Sequence, residues 1–379
     1  MLKLIIDENI AFANSAFNQF GSVTLLSGRE ITNSVLNDVD VLIVRSITNV
    51  DEELLKNTSV KFVGTATIGT DHIDLNYLKK NNIAFADAKG CNAFSVAEYV
   101  IASLLNLSVK FDFLLKEKSI GIIGVGNVGS KVVAFAEALG MKVFLNDPPL
   151  QRSGDARNFV GLDEILCADI ITLHVPLNLY GIDKTYHFFD KKILNKIKDE
   201  TILINSARGA VVNNSNLLDS IEEKKLNVVL DVWENEPDIN VELLKEVLIG
   251  TPHIAGYSLE GKINGTKIIY NSICDFLGIE KSFSFDLETP QNSIKQFDDT
   301  EKLEVGLSQL IEGIYAIKED DYRMRKMLSM GEVERMKYFD LLRKNYPTRR
   351  EFNNYEVQSD TLSEDFKNIL EKLRFTFTT

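Results

Sequence analysis

The chain has 379 residues, of which 45% are hydrophobic and 26% are charged, so two or three globular domains with a sizeable core are expected. The net charge of −13 argues against nucleic acid or an anionic membrane surface as a partner. It does not exclude a small anionic substrate, because such a molecule responds only to the charge around its binding site.

The cysteines and the apolar runs indicate the cellular setting. The three cysteines are scattered and show neither a disulfide framework nor a zinc-ligand spacing, so we expect no bound metal and a reducing compartment, the cytoplasm. The first residues read as a β-strand rather than a signal peptide. No apolar run approaches the roughly 20 residues that a membrane span needs.

The first hundred residues alternate short apolar runs with helical or loop segments, which is typical of a parallel sheet built from βαβ units. The predicted strands are 3–6, 23–26, 41–44, 62–63 and 83–86. The apolar run 93–107 predicts a long core helix that leads into the next domain.

The stretch 119–147 has the pattern of a dinucleotide-binding unit. Gly124, Gly126 and Gly129 follow a β-branched run in the spacing G-x-G-x-x-G. These glycines permit a tight turn, close approach of the backbone to a pyrophosphate, and helix–strand packing. A helical run and a second strand end at Asp147, whose carboxylate is expected to bond the adenine ribose and to favour NAD over NADP. The alternative is a glycine-rich turn in another kind of α/β protein.

The alternation continues beyond this unit, with strands predicted at 170–173, 202–204 and 228–230. The run 259–277 predicts a long helix that could return to the first domain. The first domain would then be discontinuous, with a second portion after the dinucleotide-binding domain.

Residues 284–379 differ in composition and predict a small α+β module after a linker. The run 301–317 has apolar residues at helical spacing: Leu303, Leu307, Leu310, Ile311 and Ile314. This stripe needs a covering surface, and we expect a two-fold dimer interface; the alternative is a module packed only on its own chain. A basic cluster comprises Arg343, Lys344, Arg349 and Arg350. We expect it near the partner's substrate site, where it would attract an anionic substrate, with neighbouring Asp and Glu as alternative partners.

Oxidation of an alcohol by a nicotinamide cofactor needs a base for the hydroxyl proton, and histidine suits that role near neutral pH. The chain has four histidines: His72, His174, His187 and His253. His253, in T-P-H-I-A-G, follows a probable strand end, and Glu234 and Glu236 in D-V-W-E-N-E-P offer a carboxylate to orient it. We expect the other three to be structural residues, with His174 at the edge of the cofactor.

An acid substrate needs a cation, and the planar fork of arginine matches a carboxylate. Arg208, in N-S-A-R-G, follows a predicted strand at its carboxyl end. An ordinary loop ion pair is the alternative. Arg45, Ser46 and Thr67 also follow predicted strands and offer a cation and hydroxyl donors that suit a phosphate, although turn chemistry would explain the hydroxyls equally well.

The motifs G-V-G-N-V-G, L-H-V-P, N-S-A-R-G, D-V-W-E-N-E-P and T-P-H-I-A-G, in this order, resemble those of the D-2-hydroxyacid dehydrogenase family. The resemblance implies an α/β fold of two Rossmann-like, doubly wound parallel-sheet domains with a cleft between them. Residues 1–100 and 258–283 would form the substrate domain, 101–257 the NAD-binding domain and 284–379 a small dimerisation module of a homodimer. The expected reaction is oxidation of a small phosphorylated 2-hydroxy acid with NAD.

The resemblance also implies roles for single residues. Arg208 would bind the substrate carboxylate and polarise the C2 oxygen, His253 would exchange the proton, and Glu236 would orient His253. Ser46, Thr67 and Tyr257 would contact the substrate. The NAD contacts would be the glycine loop with Asn127 and Val128, and further Asp147, Val175, Asp231 and Gly256. Val175 stands where the family often has threonine, so only a backbone contact is expected there.

Two alternatives remain open at this point. The chain could act on another 2-hydroxy acid, such as lactate, glycerate or 3-phosphoglycerate. It could instead be an NAD-sensing regulator, which would need the glycine loop and Asp147 but not Arg208, Glu236 and His253 together.

Overall fold

The computed structural model describes residues 1–290, 293–296, 302–358 and 363–377. The chain divides into two compact units, residues 1–92 with 258–288 and residues 93–257 with 289–379. The first boundary lies before the long apolar helix, whereas the expected boundary after residue 100 would lie within that helix. The C-terminal portion 289–379 groups with the dinucleotide-binding portion rather than standing alone.

The first unit contains a five-stranded parallel sheet in the order β2-β1-β3-β4-β5. Its strands are β1 Leu2–Asp7, β2 Gly21–Leu26, β3 Val41–Val44, β4 Phe62–Thr65 and β5 Ala84–Asp87. Its helices before residue 93 are α1 Ala13–Phe17, α2 Glu52–Leu55 and α3 Leu75–Lys80. This strand order is that of a flavodoxin-like doubly wound sheet. Each predicted strand is present, with its ends shifted by at most two residues.

The second unit begins with helix α4, Ala93–Phe111, which is longer than the predicted 93–107. The expectation that no apolar run could span a bilayer was wrong for this helix, since its length and composition alone would allow it. However, 78% of the apolar window is buried inside the protein, so α4 is a core helix.

The dinucleotide-binding portion contains a six-stranded parallel sheet in the order β11-β10-β9-β8-β6-β7. The strands are β6 Ser119–Ile123, β7 Lys142–Asn146, β8 Ile170–Leu173, β9 Ile202–Asn205, β10 Asn227–Leu230 and β11 Ile249–Gly250. The helices are α5 Asn127–Ala138, α6 Pro148–Arg152, α7 Leu162–Ile165, α8 Lys191–Leu194, α9 Asn214–Lys224 and α10 Val241–Glu246. Because β7 and β8 flank β6 on opposite sides, the strand order reverses at β6, where ligands bind in such sheets.

Helix α11, Leu259–Leu277, has the predicted bounds and belongs to the first unit. Its buried residues Ile269, Tyr270 and Ile273 share a core cluster with Leu4 and Ile6 of β1. The expected fold class is confirmed, because both units carry doubly wound parallel sheets.

The C-terminal portion contains a small parallel sheet in the order β12-β13-β14. Its elements are β12 Ile294–Gln296, α12 Leu303–Glu312, α13 Ile317–Arg325, α14 Glu332–Lys344, β13 Glu356–Gln358, α15 Glu364–Lys372 and β14 Thr376–Phe377. The predicted helical run 301–317 is therefore α12 followed by the start of α13, and its residue Glu301 lies outside the described residues. Single turns of 3₁₀ helix lie at Asn33–Val35, Leu115–Glu117, Gly209–Val211, Lys326–Ser329 and Phe352–Asn354.

The apolar stripe of α12 is covered by the same chain. Leu307, Leu310 and Ile311 are buried in one core cluster with α4 and β6, and Leu303 and Ile314 pack against that cluster. The Glu304 carboxylate accepts the backbone N–H of Leu115 at 2.9 Å. The expectation that this stripe forms a dimer interface was therefore wrong, because α4 already covers it.

We predict that Leu307→Ala lowers the free energy of unfolding by about 2–5 kcal/mol, since Leu307 is fully buried and its removal leaves a cavity. The loss should not depend on protein concentration, as measured by urea denaturation over a wide concentration range. The control is Leu179→Ala, whose side chain is exposed. A loss that vanished at high protein concentration would indicate that the stripe is an intermolecular contact.

Candidate functional site

The glycine loop between β6 and α5 has the geometry of a pyrophosphate cradle. Gly124 has φ of +85°, and a Cβ there would lie 2.6 Å from the carbonyl oxygen of His174. A Cβ at Gly129 would lie 2.0 Å from the carbonyl oxygen of Gly124, so the helix packs directly on the loop. Around Gly126 no atom lies within 4 Å of the corresponding position. The first turn of α5, with Asn127 and Val128, therefore presents backbone N–H groups at an open approach.

Asp147 follows β7 and lies beside this loop. Its Oδ2 accepts the N–H of Val125 at 2.8 Å, and its Oδ1 accepts the N–H of Leu150 at 3.0 Å and caps α6. The carboxylate thus fixes the glycine loop and keeps further lone pairs for a ligand. Its bond to the ribose of NAD stays a prediction.

The sequence reasoning missed Arg157, because no cation directly follows Asp147. The Arg157 Nη1 donates to the carbonyl oxygen of Val125 at 3.0 Å, so this cation lies at the glycine loop. Its Nε and Nη2 are bonded to the two oxygens of Asp155, both at 2.8 Å. The hydrogen bonds from Arg157 lower the pKa of Asp155 to about 2, so the two groups form an ion pair.

Polar groups follow four neighbouring strands at the same edge of this sheet. His174 follows β8, Asn205 ends β9, Asp231 follows β10 and His253 lies three residues beyond β11, whereas the apolar Val175 comes directly after His174. In parallel sheets ligands bind at this carboxyl edge. A cavity of about 480 Å³ opens at the opposite edge, where Asp169, Lys198 and Asn227 line it, and we assign no role to it.

His253 and Glu236 form a hydrogen-bonded pair, with 2.7 Å between Nδ1 and Oε2. The other Glu236 oxygen accepts the backbone N–H of Trp233 at 2.9 Å. Burial opposes ionisation, but the charge and hydrogen bond of His253 and the positive charge of Arg343 hold the pKa of Glu236 below its ordinary value. Glu236 is therefore ionised near neutral pH and fixes the imidazole through Nδ1, which leaves Nε2 for proton exchange.

The buried Asp231 holds the loop that carries His253. Its Oδ1 accepts the Thr251 hydroxyl at 2.7 Å and the N–H of Ile254 at 2.8 Å, and its Oδ2 accepts the N–H of Ala255 at 3.0 Å. Its carbonyl oxygen accepts the N–H of His253 at 2.7 Å. These bonds stabilise a strained backbone, since His253 has φ of +58°. The contact of Asp231 and Gly256 with NAD stays a prediction.

The loop that carries Arg208 packs directly on the segment that carries Glu236. The Asn205 side chain accepts the N–H of Ala207 at 3.1 Å and donates to the carbonyl oxygen of Arg208 at 2.9 Å. A Cβ at Gly209 would lie 1.9 Å from the carbonyl oxygen of Trp233, so the two backbones touch. The guanidinium is half-buried, and its Nη1 donates to the carbonyl oxygen of Ala207 at 2.8 Å.

Glu234 and Glu236 pair with different histidines in the structure. Glu234 pairs with His187 at 2.6 Å and accepts the N–H of Asn214 at 2.7 Å, whereas Glu236 pairs with His253. His187 therefore has a carboxylate partner that the sequence reasoning did not foresee. Because its other ring nitrogen lies 3.2 Å from the Asn213 amide nitrogen, this imidazole is held on both sides.

The remaining two histidines have structural partners. Burial lowers the pKa of His174 to about 3, so it stays neutral, and its Nε2 lies 2.9 Å from the Thr172 hydroxyl. His72 of the first unit lies 3.0 Å from the Thr65 hydroxyl. The Nδ1 of His174 has no hydrogen-bond partner among the described residues, so His174 lacks the carboxylate that a general base of this kind requires.

The candidate substrate residues of the first unit follow adjacent strands of its sheet. Ser46 is exposed after β3, beside the half-buried Arg45. Thr67 follows β4, and its hydroxyl lies 2.8 Å from that of Thr65 and donates to the carbonyl oxygen of Gly69 at 3.2 Å. Parallel strands place both residues at the carboxyl edge of this sheet, as a ligand site requires.

Two members of the C-terminal basic cluster, Arg349 and Arg350, are buried and so are not exposed to attract an anionic substrate. Arg349 is buried and donates to the carbonyl oxygens of Ser95 and Ala255, and Arg350 is also buried and donates to Asn354. The expectation that these cations attract a substrate to the site of a partner was therefore wrong for Arg349 and Arg350. Arg343 instead lies with its guanidinium carbon 5.9 Å from the ring centre of Tyr257.

A metal centre is not visible in the part of the chain that the structure describes. No group of three or more His, Cys, Asp or Glu side chains there could hold a metal ion. None of the three cysteines, all of which lie in the described ranges, forms a disulfide.

Comparison with known proteins agrees with this arrangement. Residues 107–255 match the family of the D-isomer specific 2-hydroxyacid dehydrogenase NAD-binding domain. Residues 287–373 match a domain of unknown function, DUF3410. Among solved structures, D-lactate dehydrogenase from Aquifex aeolicus, complexed with NAD and lactic acid, is 26% identical with a TM-score of 0.59 and covers 73% of this chain and 95% of its own. NAD-bound 3-phosphoglycerate dehydrogenase of Entamoeba histolytica is 25% identical with a TM-score of 0.61, with the same coverage of 73% and 95%.

The chain belongs to the D-2-hydroxyacid dehydrogenase family and is an NAD-dependent oxidoreductase. Among curated proteins it is similar to the erythronate-4-phosphate dehydrogenase of Escherichia coli O1:K1, with 46% identity over 366 residues, which are 96% of this chain and 95% of that protein. The protein of the same name from Escherichia fergusonii shows the same identity and coverage.

We predict that Glu236→Gln lowers kcat and moves the acid-side midpoint of the pH–rate profile to lower pH. The charge of His253 helps to hold the pKa of Glu236 below its ordinary value, so the ionised carboxylate in turn favours a positive charge on the imidazole, and its removal weakens that attraction. The measurement is kcat/KM for NAD-dependent oxidation against pH. Glu234→Gln is the matched control, because its carboxylate pairs with His187. An unchanged midpoint in Glu236→Gln would contradict the pairing.

We predict that Asp147→Ala weakens NAD binding and reduces the preference for NAD over NADP, because a carboxylate that would repel a 2′-phosphate is lost. Titration of both cofactors by intrinsic fluorescence measures the two affinities. Asp163→Ala serves as the control, since its side chain is largely exposed and pairs with Lys196. A wild-type protein that bound NADP as tightly as NAD would contradict this role.

Proposed function

We propose that the protein catalyses the NAD-dependent oxidation of 4-phospho-D-erythronate to (R)-3-hydroxy-2-oxo-4-phosphooxybutanoate, a step of pyridoxal 5′-phosphate (vitamin B6) biosynthesis. The observation that carries the proposal is the His253–Glu236 pair at the carboxyl edge of the sheet that holds the glycine loop. The similarity over 96% of the chain to curated erythronate-4-phosphate dehydrogenases supports this substrate.

The site residues take distinct roles in this reaction. Nε2 of His253 accepts the proton of the C2 hydroxyl as the C2–O bond becomes a carbonyl. Glu236 keeps the imidazole in the required tautomer and stabilises the imidazolium that forms. Arg208 binds the carboxylate of the substrate and polarises the C2 oxygen. Bound NAD supplies the acceptor for the hydride that leaves C2.

The residues that fit NAD are those of the glycine loop and the strand ends. The N–H groups of Asn127 and Val128 would bind the pyrophosphate, and Asp147 the adenine ribose. Val175, Asp231 and Gly256 would border the nicotinamide end. The Val175 side chain has no hydrogen-bonding group, so only its backbone can contribute a polar contact.

The substrate contacts would come from Ser46, Thr67 and Tyr257. A hydroxyl can donate to a carboxylate or phosphate oxygen, and Arg45 next to Ser46 supplies a positive charge. In this proposal, the first unit is the substrate domain and residues 101–257 form the NAD-binding domain.

We predict that the wild-type protein forms NADH with 4-phospho-D-erythronate at a higher kcat/KM than with D-lactate, D-glycerate or 3-phospho-D-glycerate. His253→Ala should lose about 10²–10⁴-fold in kcat while it retains NAD binding, because the proton acceptor is lost and the glycine loop is intact. His174→Ala is the control. A preference for another acid would favour a different dehydrogenase, and NAD binding without turnover on any acid would favour a regulator.

We also propose that the protein is a cytoplasmic homodimer that associates through the C-terminal portion. The apolar stripe of α12 is buried within its own chain and does not support this interface. Exposed apolar side chains of α13 and α14 support it instead. Val333 and Leu341 of α14 are 67% and 49% exposed and lie eight residues apart, on the same side of the helix. Tyr322 of α13 is 61% exposed.

We predict that Val333→Glu combined with Leu341→Glu yields a monomer in analytical ultracentrifugation while the wild-type chain sediments as a dimer. The control is Val109→Glu, which charges an exposed apolar residue of α4. Truncation after residue 284 would be a poor test, because it would also uncover the core formed by α4 and α12. A double variant that remained a dimer would remove this face of α14 from the interface.

A further inference from the structure

Arg343 reaches the catalytic loop from the C-terminal portion of the chain. It lies in the last turn of α14, and its guanidinium stands over the ring of Tyr257, four residues beyond His253. Tyr257 also contacts Tyr346 edge to face, with ring centres 5.8 Å apart. The C-terminal portion therefore contributes a side chain to the immediate surroundings of a predicted substrate contact.

The electrostatic surroundings keep Arg343 charged. Burial opposes the charge, but Tyr257, Glu236 and the more distant Asp231 raise the pKa of Arg343 above its ordinary value. The guanidinium is only partly exposed, and its Nε has no hydrogen-bond partner among the residues that the structure describes. A buried donor without an acceptor is costly, so this arrangement favours an anionic ligand.

Three other arginines of the C-terminal portion already have structural partners. Arg323 pairs with Asp320 at 2.8 Å, and Arg325 donates to the carbonyl oxygens of Leu244 and Val247. Arg349 lies 4.2 Å from the ring centre of Tyr315 and is fully buried. Arg343 differs from them because its aromatic partner is itself a predicted substrate contact.

We propose that Arg343, together with Tyr257, binds the phosphate group of the substrate. This inference rests on the proposed function, whose substrate carries two anionic groups. Arg208 is assigned to the carboxylate, so the phosphate needs a second cation. The planar guanidinium of Arg343 provides parallel N–H donors that match phosphate oxygens, and the Tyr257 hydroxyl adds a donor. Arg343 would thus determine specificity for a phosphorylated acid.

The test compares Arg343→Met with the wild-type protein on 4-phospho-D-erythronate and on unphosphorylated D-erythronate. We expect Arg343→Met to raise KM for the phosphorylated substrate about 10- to 100-fold, with little change for D-erythronate. Inhibition by inorganic phosphate should weaken in parallel. Arg343→Lys, which keeps the charge but not the planar fork, should lose less. Lys344→Met is the matched control, because it removes an exposed cation from the adjacent position.

Other outcomes would overturn the inference. Equal losses of kcat on both substrates, with a shifted pH–rate midpoint, would indicate that Arg343 acts only on Glu236. Loss of discrimination in Arg45→Met but not in Arg343→Met would assign the phosphate to the first unit. A wild-type protein that does not oxidise 4-phospho-D-erythronate, yet oxidises another hydroxy acid, would instead contradict the proposed function.

Discussion

The four hydrogen bonds accepted by Asp231 determine where the loop that carries His253 lies. A carboxylate with 1% exposure accepts the Thr251 hydroxyl and two successive backbone N–H groups, while its own carbonyl oxygen accepts the N–H of His253. Buried polar groups of this kind are costly unless they are satisfied, so the loop has one favourable conformation. That conformation places the His253 imidazole against Glu236.

The C-terminal portion stabilises the same loop from another side. Arg349 donates to the carbonyl oxygen of Ala255, whose N–H is bonded to Asp231, so one peptide segment is held by both portions. Two further buried bonds join α4 to this portion. The Ser95 hydroxyl donates to Glu351 at 2.9 Å, and Glu98 accepts the N–H of Phe352 at 2.9 Å.

These contacts give a structural role to a region that matches a domain of unknown function. Glu98 is buried in this contact, and its burial and the nearby Glu351 carboxylate raise the pKa of Glu98 well above its ordinary value. Since α12, α13 and α14 also share core clusters with the dinucleotide-binding portion, the region is an integral part of the second unit.

The sequence predicted the local features well. The hydrophobic period and the β-branched residues located the strands, and the glycine spacing located the tight turn before α5, because these features depend on neighbouring residues. The residue pattern alone left Glu234 and Glu236 both open, because their partners, His187 and His253, are distant in the chain, and only the family resemblance favoured Glu236. The partners of Arg157, Arg343 and Arg349 are also set by tertiary contacts, which a local pattern does not predict. An apolar stripe such as that of α12 predicts burial but not whether its cover comes from the same chain.

Hydrogen exchange of the Ile254 and Ala255 amides tests the central claim most directly, namely that buried Asp231 fixes the loop that carries His253. We expect both amides to exchange as slowly as that of Ile122 in β6, and to exchange markedly faster in Asp231→Asn, while Ile122 stays protected. Rapid exchange of both amides in the wild-type protein, comparable to that of the exposed Tyr180 region, would contradict the account.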